Sequence, residues 1–405
     1  MSIHRLRFKA DDGSDFPEWK EMTVGDMTIE LQDYKSLSSG CPLMTSARTG
    51  LMMQNEFRNK LSTDDDTALF SVVPRGAAVY RHMSDDDIFH FNVNNLADKG
   101  LVSKEYPVFK TKNNYNLYLL VEYLNFSKKF LSFCREQKKG GTRTRLYFNV
   151  LRKFKLNVPT FLEQQKIAEF LSTIDTVIEK QKETVSAWEE RKKGVMQKVF
   201  SQEVRFKADG ESDFPDWEEK KIDDVATCFA GATPSTKIPE YWEDGTIRWM
   251  SSGEVNNGQI HDTEKRISQL GFDKCSTKMV KPNTVVMALA GQGKTRGMVA
   301  ITRVPLCTNQ SLCAIETNDD ICDDYLYQYL QTQYNNLRLI SSGDGIRGGL
   351  NLKLVGDYAI LVPCLAEQQK IADCLLSLDE VIEKQKAILA AWEELKKGLL
   401  QQMFV

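Results

Sequence analysis

The octapeptide Ala288–Thr295 reads ALAGQGKT: an alanine, four residues, then Gly-Lys-Thr. That spacing is the outline of a phosphate-binding loop, in which backbone N–H groups wrap the phosphates, the lysine reaches them and a helix N-terminus follows at once. The flanks decide whether the outline is filled. Val285–Leu289 reads as a strand, but Arg296–Val304 carries Gly297 two residues after Thr295 and then a Val/Ile/Thr-rich run ending before Pro305. Strand, glycine turn, strand predicts a hairpin, not a nucleotide loop. A second chemistry-bearing stretch, Lys138–Lys155 (KKGGTRTRLYFNVLRKFK), holds seven basic residues and no acid. It could neutralise phosphates, or it could be the solvated edge of a strand. Pro215–Lys220 (PDWEEK) has nuclease-like letters without the usual interval between the acids. The nine cysteines form no Cys-x-x-Cys pair and the four histidines stand singly, so neither a zinc site nor a disulfide framework is expected.

These residues need elements to position them, and 405 residues are too many for one ordinary core. With 41% hydrophobic and 27% charged residues the composition is that of a soluble globular protein. No run approaches eighteen apolar residues and the first residues lack the apolar core of a signal peptide, so a cytoplasmic location is expected. A formal net charge of −3 argues against a uniformly basic nucleic-acid binder while leaving local patches open.

The chain is written twice. Val158–Phe200 and Val362–Phe404 align without a gap at an offset of 204, with 25 of 43 positions identical, which makes them copies of one element. A shorter echo precedes each half: RFKADDGSDFPEW at Arg7–Trp19 and RFKADGESDFPDW at Arg205–Trp217. Each cassette thus runs lead-in segment, variable region, helix. In the first helix Ile167, Leu171, Ile174, Ile178, Gln181, Val185, Trp188, Lys192, Val195 and Val199 step by four and three. The second repeats this as Ile371, Leu375, Leu378, Ile382, Gln385, Leu389, Trp392, Lys396, Leu399 and Met403. Such a stripe is the seam of a coiled coil. With about 17 residues between the first helix and the second variable region, the second helix would return antiparallel, placing Ile167 near Leu399 and Met403, and Ile371 near Val195 and Val199. An approximate twofold axis would then relate the cassettes.

Residues 20–157 and 218–361 differ almost everywhere, and both mix short β-like runs with aromatic-rich helical ones, which predicts α+β domains. The expected architecture is α+β: two such domains held apart by two long antiparallel helices. The expected division is 1–160 (first domain with its lead-in), 161–200 (first helix), 201–364 (second domain) and 365–405 (second helix).

With its duplicated Glu-Gln-Gln-Lys-Ile-Ala helices and stretches such as Ala232–Trp242, Ile247–Glu254, Thr308-Asn309-Gln310, Val73–Gly76 and Gly100–Pro107, the chain resembles the DNA-specificity subunits of type I restriction-modification enzymes. The resemblance covers essentially the whole chain. It implies a non-catalytic reader of a two-part DNA target, one half per target-recognition domain. It also implies two modification subunits that methylate adenine and motor-nuclease restriction subunits as partners. No cofactor is then expected on this chain; S-adenosylmethionine, ATP and Mg would belong to the partners. The glycine hairpin would lie beside DNA. Candidate contacts in the first domain are Arg48, Arg75, Arg81, His82, Lys138, Lys139, Arg143 and Arg145. Those in the second are Lys237, Arg248, Gln292, Lys294, Arg296, Asn309 and Arg347, chosen as long or bidentate side chains on loops. Two other classes compete: a self-contained ATPase or nuclease, and a structural coiled-coil adaptor with no DNA role.

Overall fold

The computed structural model describes residues 6–54, 68–138, 140, 142–291, 294–341 and 349–404. It divides into two compact units. The first joins residues 1–182 to 387–405, and the second is residues 183–386. Each therefore contains one variable region and parts of both repeated helices.

In the first unit an antiparallel sheet orders Thr28–Glu30, Val108–Thr111, Ala78–Tyr80 and Phe91–Val93. A second sheet orders Lys99–Ser103, Phe70–Pro74 and Tyr34–Lys35. In the second unit a five-stranded sheet is centred on Val285–Ala288, flanked by Leu312–Thr317 and Val299–Thr302. All four residues of Val285–Ala288 are buried, because this sheet is covered on both faces. Val285 and Met287 join one apolar cluster with the helix Asp323–Thr332, while Val286 and Ala288 join another with Met250 and Leu306. The side-chain period of two sorts one strand into two cores.

The repeated helices are unbroken from Phe161 to Phe200 and from Leu365 to Met403, each roughly 60 Å long at 1.5 Å per residue. Every predicted seam position, Gln181, Gln385, Trp188 and Trp392 included, is buried or half-buried. Within each unit the two helices run antiparallel. In the first, Ile167 and Leu171 share a core with Leu400, Met403 and Phe404; in the second, Ile371 and Leu375 share one with Met196, Val199 and Phe200. The expected Leu399 and Val195 are each displaced by one: Leu400 and Met196 are the fully buried residues. A straight helix drifts from a strict seven-residue repeat, and each helix end here also packs on the aromatic helices of its domain.

The repeated letters have a structural reason. Glu163, fully buried, accepts from Arg7 Nη2 at 3.1 Å, Arg7 Nε at 3.3 Å and Trp19 Nε1 at 3.0 Å. Glu367 does the same with Arg205 (2.7 and 3.1 Å) and Trp217 (3.0 Å). The carboxylates' hydrogen bonds raise both guanidinium pKa values. The next residue, Gln164, accepts from the Asn116 backbone N–H at 2.9 Å and donates to the Pro159 carbonyl at 2.9 Å. Gln368 repeats this with Cys322 (2.7 Å) and Pro363 (2.8 Å). Asn116 and Cys322 are the N-cap residues of the helices Leu117–Phe126 and Asp323–Thr332, whose first N–H groups need an outside partner. Lys166 and Lys370 then close on the carbonyls of Lys9 and Lys207 at 2.9 and 2.8 Å. Glu-Gln-Gln-Lys is thus a clasp binding the lead-in segment and the domain helix to the start of each long helix.

Further along, the polar seam residues are paired. Lys396 Nζ lies 2.7 Å from Asp175 and 2.9 Å from Glu122, and Tyr118 donates to Asp175 at 2.5 Å. In the second unit Lys192 lies 2.7 Å from Asp379, which also accepts from Gln328 at 2.8 Å. Glu122 and Gln328 hold the same place in the two cassettes, but only the first is charged. Burial raises the Glu122 pKa and Lys396 only partly offsets that.

Two predictions follow from these contacts. Glu163→Ala removes the shared acceptor of Arg7 and Trp19 while Arg7 keeps the Phe16 and Pro17 carbonyls, and it should cost about 1–3 kcal/mol of unfolding free energy; a loss in urea unfolding below about 0.5 kcal/mol would show the clasp to be passive. For Glu122 the folded pKa lies above the unfolded one, so its charged form opposes folding at neutral pH; that penalty begins to fall as pH drops through the folded pKa and is gone below the unfolded one. Glu122→Gln, which copies the second cassette, should therefore be at least as stable as the parent at pH 8, with any advantage shrinking toward pH 4. A clear loss at pH 8 would mean that the Lys396 pair outweighs the burial cost.

Candidate nucleic-acid interface

The opening octapeptide is part of a hairpin. Val285–Ala288 pairs antiparallel with Val299–Thr302, Val285 opposite Ile301 and Met287 opposite Val299. The Gly297 N–H closes on the Ala288 carbonyl at 2.9 Å and that of Met298 on Thr295 at 3.0 Å. Gly297 takes φ +81°, a left-handed conformation natural to glycine. A strand follows where a phosphate loop requires a helix N-terminus, so the residues cannot gather their N–H groups around a nucleotide in that manner. Lys294 is exposed; Arg296 is half-buried, with Nε and Nη1 lacking a hydrogen-bond partner among the described residues.

Around this hairpin the second unit places a loop that sequence reasoning underrated. Gly231 packs so closely on Thr308 that an added Cβ would sit 1.9 Å from its carbonyl oxygen. This brings Thr233 to Gln310, whose side chains bond at 2.6 Å. Asn309 is partly occupied, its side-chain oxygen accepting from the Ser311 N–H at 3.1 Å. Lys237 is exposed on the same loop. Arg248 is not free: its Nε lies 2.8 Å from Asp262, which also takes both contacts of Arg266 at 2.9 and 3.0 Å. The Arg248 hydrogen bond comes first among the causes that lower the Asp262 pKa. Gln292 and Arg347 lie outside the described residues.

In the first unit most basic candidates are likewise tethered. Arg143 meets Asp85 at 2.7 Å, Arg48 meets Asp86 at 2.6 Å and Lys138 lies 3.7 Å from Asp87. Asp86 is itself set by Ser84 Oγ at 2.8 Å and the Ile88 N–H at 3.3 Å, and its pKa is lowered chiefly by the serine. Arg75 binds Asp98 at 3.1 Å and the Asn95 carbonyl at 2.8 Å. Arg81 and Arg145 are exposed and, among the described residues, carry no ion pair; Lys139 lies outside them. His82 needs correction as a loop residue facing a ligand. It is 3% exposed, stacks on Tyr147 with ring centres 5.3 Å apart, and burial lowers its pKa. The acidic run Asp85–Asp87 was the available signal for this tethering.

Among the described residues no group of three His, Cys, Asp or Glu side chains could hold a metal ion. No helix among them is long and apolar enough to cross a membrane.

Comparison with known proteins gives one consistent answer. The family model of the type I restriction modification DNA specificity domain matches residues 90–186 and 215–393. The specificity subunit of the MjaIX type I restriction enzyme of Methanocaldococcus jannaschii is 33% identical over 214 residues, 51% of this chain and 48% of that protein. The chain thus aligns with about half the length of that relative. The HindI specificity subunit of Haemophilus influenzae is 20% identical over 85% of this chain and 90% of its own. Among solved structures, the S subunit of a type I restriction-modification system from M. genitalium superposes with a TM-score of 0.54 at 15% identity, covering 99% of this chain and 98% of that one.

The hairpin predicts that the purified chain ignores nucleotides. Adding about 1 mM ATP with Mg should leave its melting temperature unchanged, whereas a ligand present at a hundred times its Kd stabilises by about 2.7 kcal/mol. A shift abolished by Lys294→Ala would restore the nucleotide reading.

Proposed function

This chain belongs to the type I restriction modification DNA specificity domain family, and from that premise we propose that it is the DNA-reading subunit of a type I restriction-modification complex. In this reading each variable region is a target-recognition domain that reads one half of a two-part sequence. The long helices pair as an antiparallel coiled coil that spaces the domains, with the boundaries expected from the sequence: 1–160, 161–200, 201–364 and 365–405. The observation that carries it is the duplication itself: two clasps of the same design, each joining a different domain to the same kind of helix. The antiparallel pairs within each unit, Asp175 with Lys396 and Lys192 with Asp379, support the helical spacer.

The chain acts without catalysis of its own. Two modification subunits supply adenine methylation with S-adenosylmethionine, and restriction subunits supply ATP- and Mg-dependent cleavage. DNA contacts come from Lys294, Arg296, Lys237 and Asn309 in the second domain and from Arg81 and Arg145 in the first. The tethered Arg48, Arg75, Arg143, Arg248 and Lys138 are oriented by their acids, and Lys139, Gln292 and Arg347 complete the set. An arginine with one edge held by a carboxylate offers the other to a base, which suits bidentate reading more than bulk phosphate attraction. The ATPase reading loses its main support with the hairpin.

The test is an exchange. Residues 20–157 are replaced by another recognition domain, the chain is expressed with its modification subunits, and methylated adenines are mapped across the host DNA. One half of the methylated sequence should change and the other should stay. A chain that directs no sequence-specific methylation, or in which both halves change together, would defeat the proposal.

A further inference from the structure

The glycine hairpin does not hold itself in place. The helix Tyr334–Ile340 lies against its return arm, Lys294–Gly297, and two side chains of that helix end on the arm's backbone. The Tyr334 hydroxyl donates to the Lys294 carbonyl at 2.6 Å. Arg338 Nη1 donates to the Tyr334 hydroxyl oxygen at 3.3 Å and to the Arg296 carbonyl at 3.5 Å, with its guanidinium 5.5 Å from the centre of the Tyr334 ring. Between them Leu337 is fully buried, and a Cβ on Gly297 would lie 3.4 Å from the Leu337 Cβ. The carbonyls of residues 294 and 296 are therefore held by neighbours 40 and 42 positions away in sequence.

The side chains on those two positions carry the positive charge. Lys294 is exposed. Arg296 has Nε and Nη1 buried and, among the described residues, without an acceptor, a costly state for a charged donor. A tethered backbone carrying one exposed cation and one half-buried guanidinium is prepared for acceptors that arrive with a ligand. On the reading given under the proposed function, on which this inference rests, those acceptors are on DNA.

We propose that Tyr334 and Arg338 are positioning residues for the half-site read by the second domain. They hold the Lys294–Gly297 arm so that Lys294 and Arg296 meet the DNA in a single register. The two cations attract phosphates whatever the arm's conformation, so loosening it lowers discrimination more than affinity, because phosphate contacts hold the protein on any sequence while base contacts choose it.

The test uses the full chain with its modification subunits and three duplexes: the mapped target, the target with its second-domain half changed, and the target with its first-domain half changed. Tyr334→Phe keeps the ring under Arg338 and removes only the hydroxyl. It should reduce discrimination at the second half about tenfold, within the span of one mismatched base pair. Discrimination at the first half and the melting temperature should stay at wild-type values. Arg338→Met, which removes the other tether, should give the same one-sided loss. Wild-type discrimination by both variants would overturn the proposal, as would a uniform fall in binding to all three duplexes. A wild-type complex that does not distinguish the duplexes would instead sink the DNA-reading assignment beneath it.

Discussion

A fully buried carboxylate at the start of each long helix is the contact on which the rest of the fold hangs. Glu163 and Glu367 are each enclosed by an arginine and a tryptophan from the lead-in segment, so that no charge is left without a partner. Removing a carboxylate from water costs several kcal/mol, returned only when its hydrogen bonds are complete. The lead-in segment, the long helix and the domain helix capped by the adjacent glutamine must therefore assemble together. The angle at which each variable region leaves its helix is set there. The variable surface can then change freely while its base remains fixed.

Much of this was legible in the sequence because it is periodic or repeated. Ile167 to Ile178 and Ile371 to Ile382 declared their buried faces by spacing alone. The strand–glycine–strand pattern around Gly297 pointed to a hairpin in preference to a phosphate loop, and Val285–Ala288 does pair with Val299–Thr302. Less legible were the contacts between residues remote in the chain. Arg48 and Asp86 are 38 positions apart and Arg143 and Asp85 are 58, and nothing in their letters says that they meet. His82 does lie in the loop between Ala78–Tyr80 and Met83–Ser84, but its ring turns inward onto Tyr147, a residue 65 positions away that its own neighbourhood in the sequence does not point to. The one-residue displacement to Leu400 and Met196 arises because those helix ends serve two neighbours, and a heptad describes only one.

Pairing of the surface arginines also makes sense of a chain with 53 basic and 56 acidic side chains in a family that handles a polyanion. Attraction by net charge would be indiscriminate, and it would fall steeply with salt. Asp85, Asp86, Asp98 and Asp262 each pair with one of these guanidinium groups and locally offset its charge.

The division of the chain has a consequence for the order in which the molecule is built. The second unit is continuous, residues 183–386, whereas the first needs residues 387–405 to complete a core begun more than two hundred positions earlier. During synthesis the second unit can close as soon as its own residues are free. The first must wait with Ile167, Leu171 and Glu122 unsealed until Lys396, Leu400 and Met403 emerge. Apolar surface exposed during such a delay is where association with the wrong partner begins. The domain made first is thus the one finished last, and its vulnerable interval spans the synthesis of the whole second unit, residues 183–386.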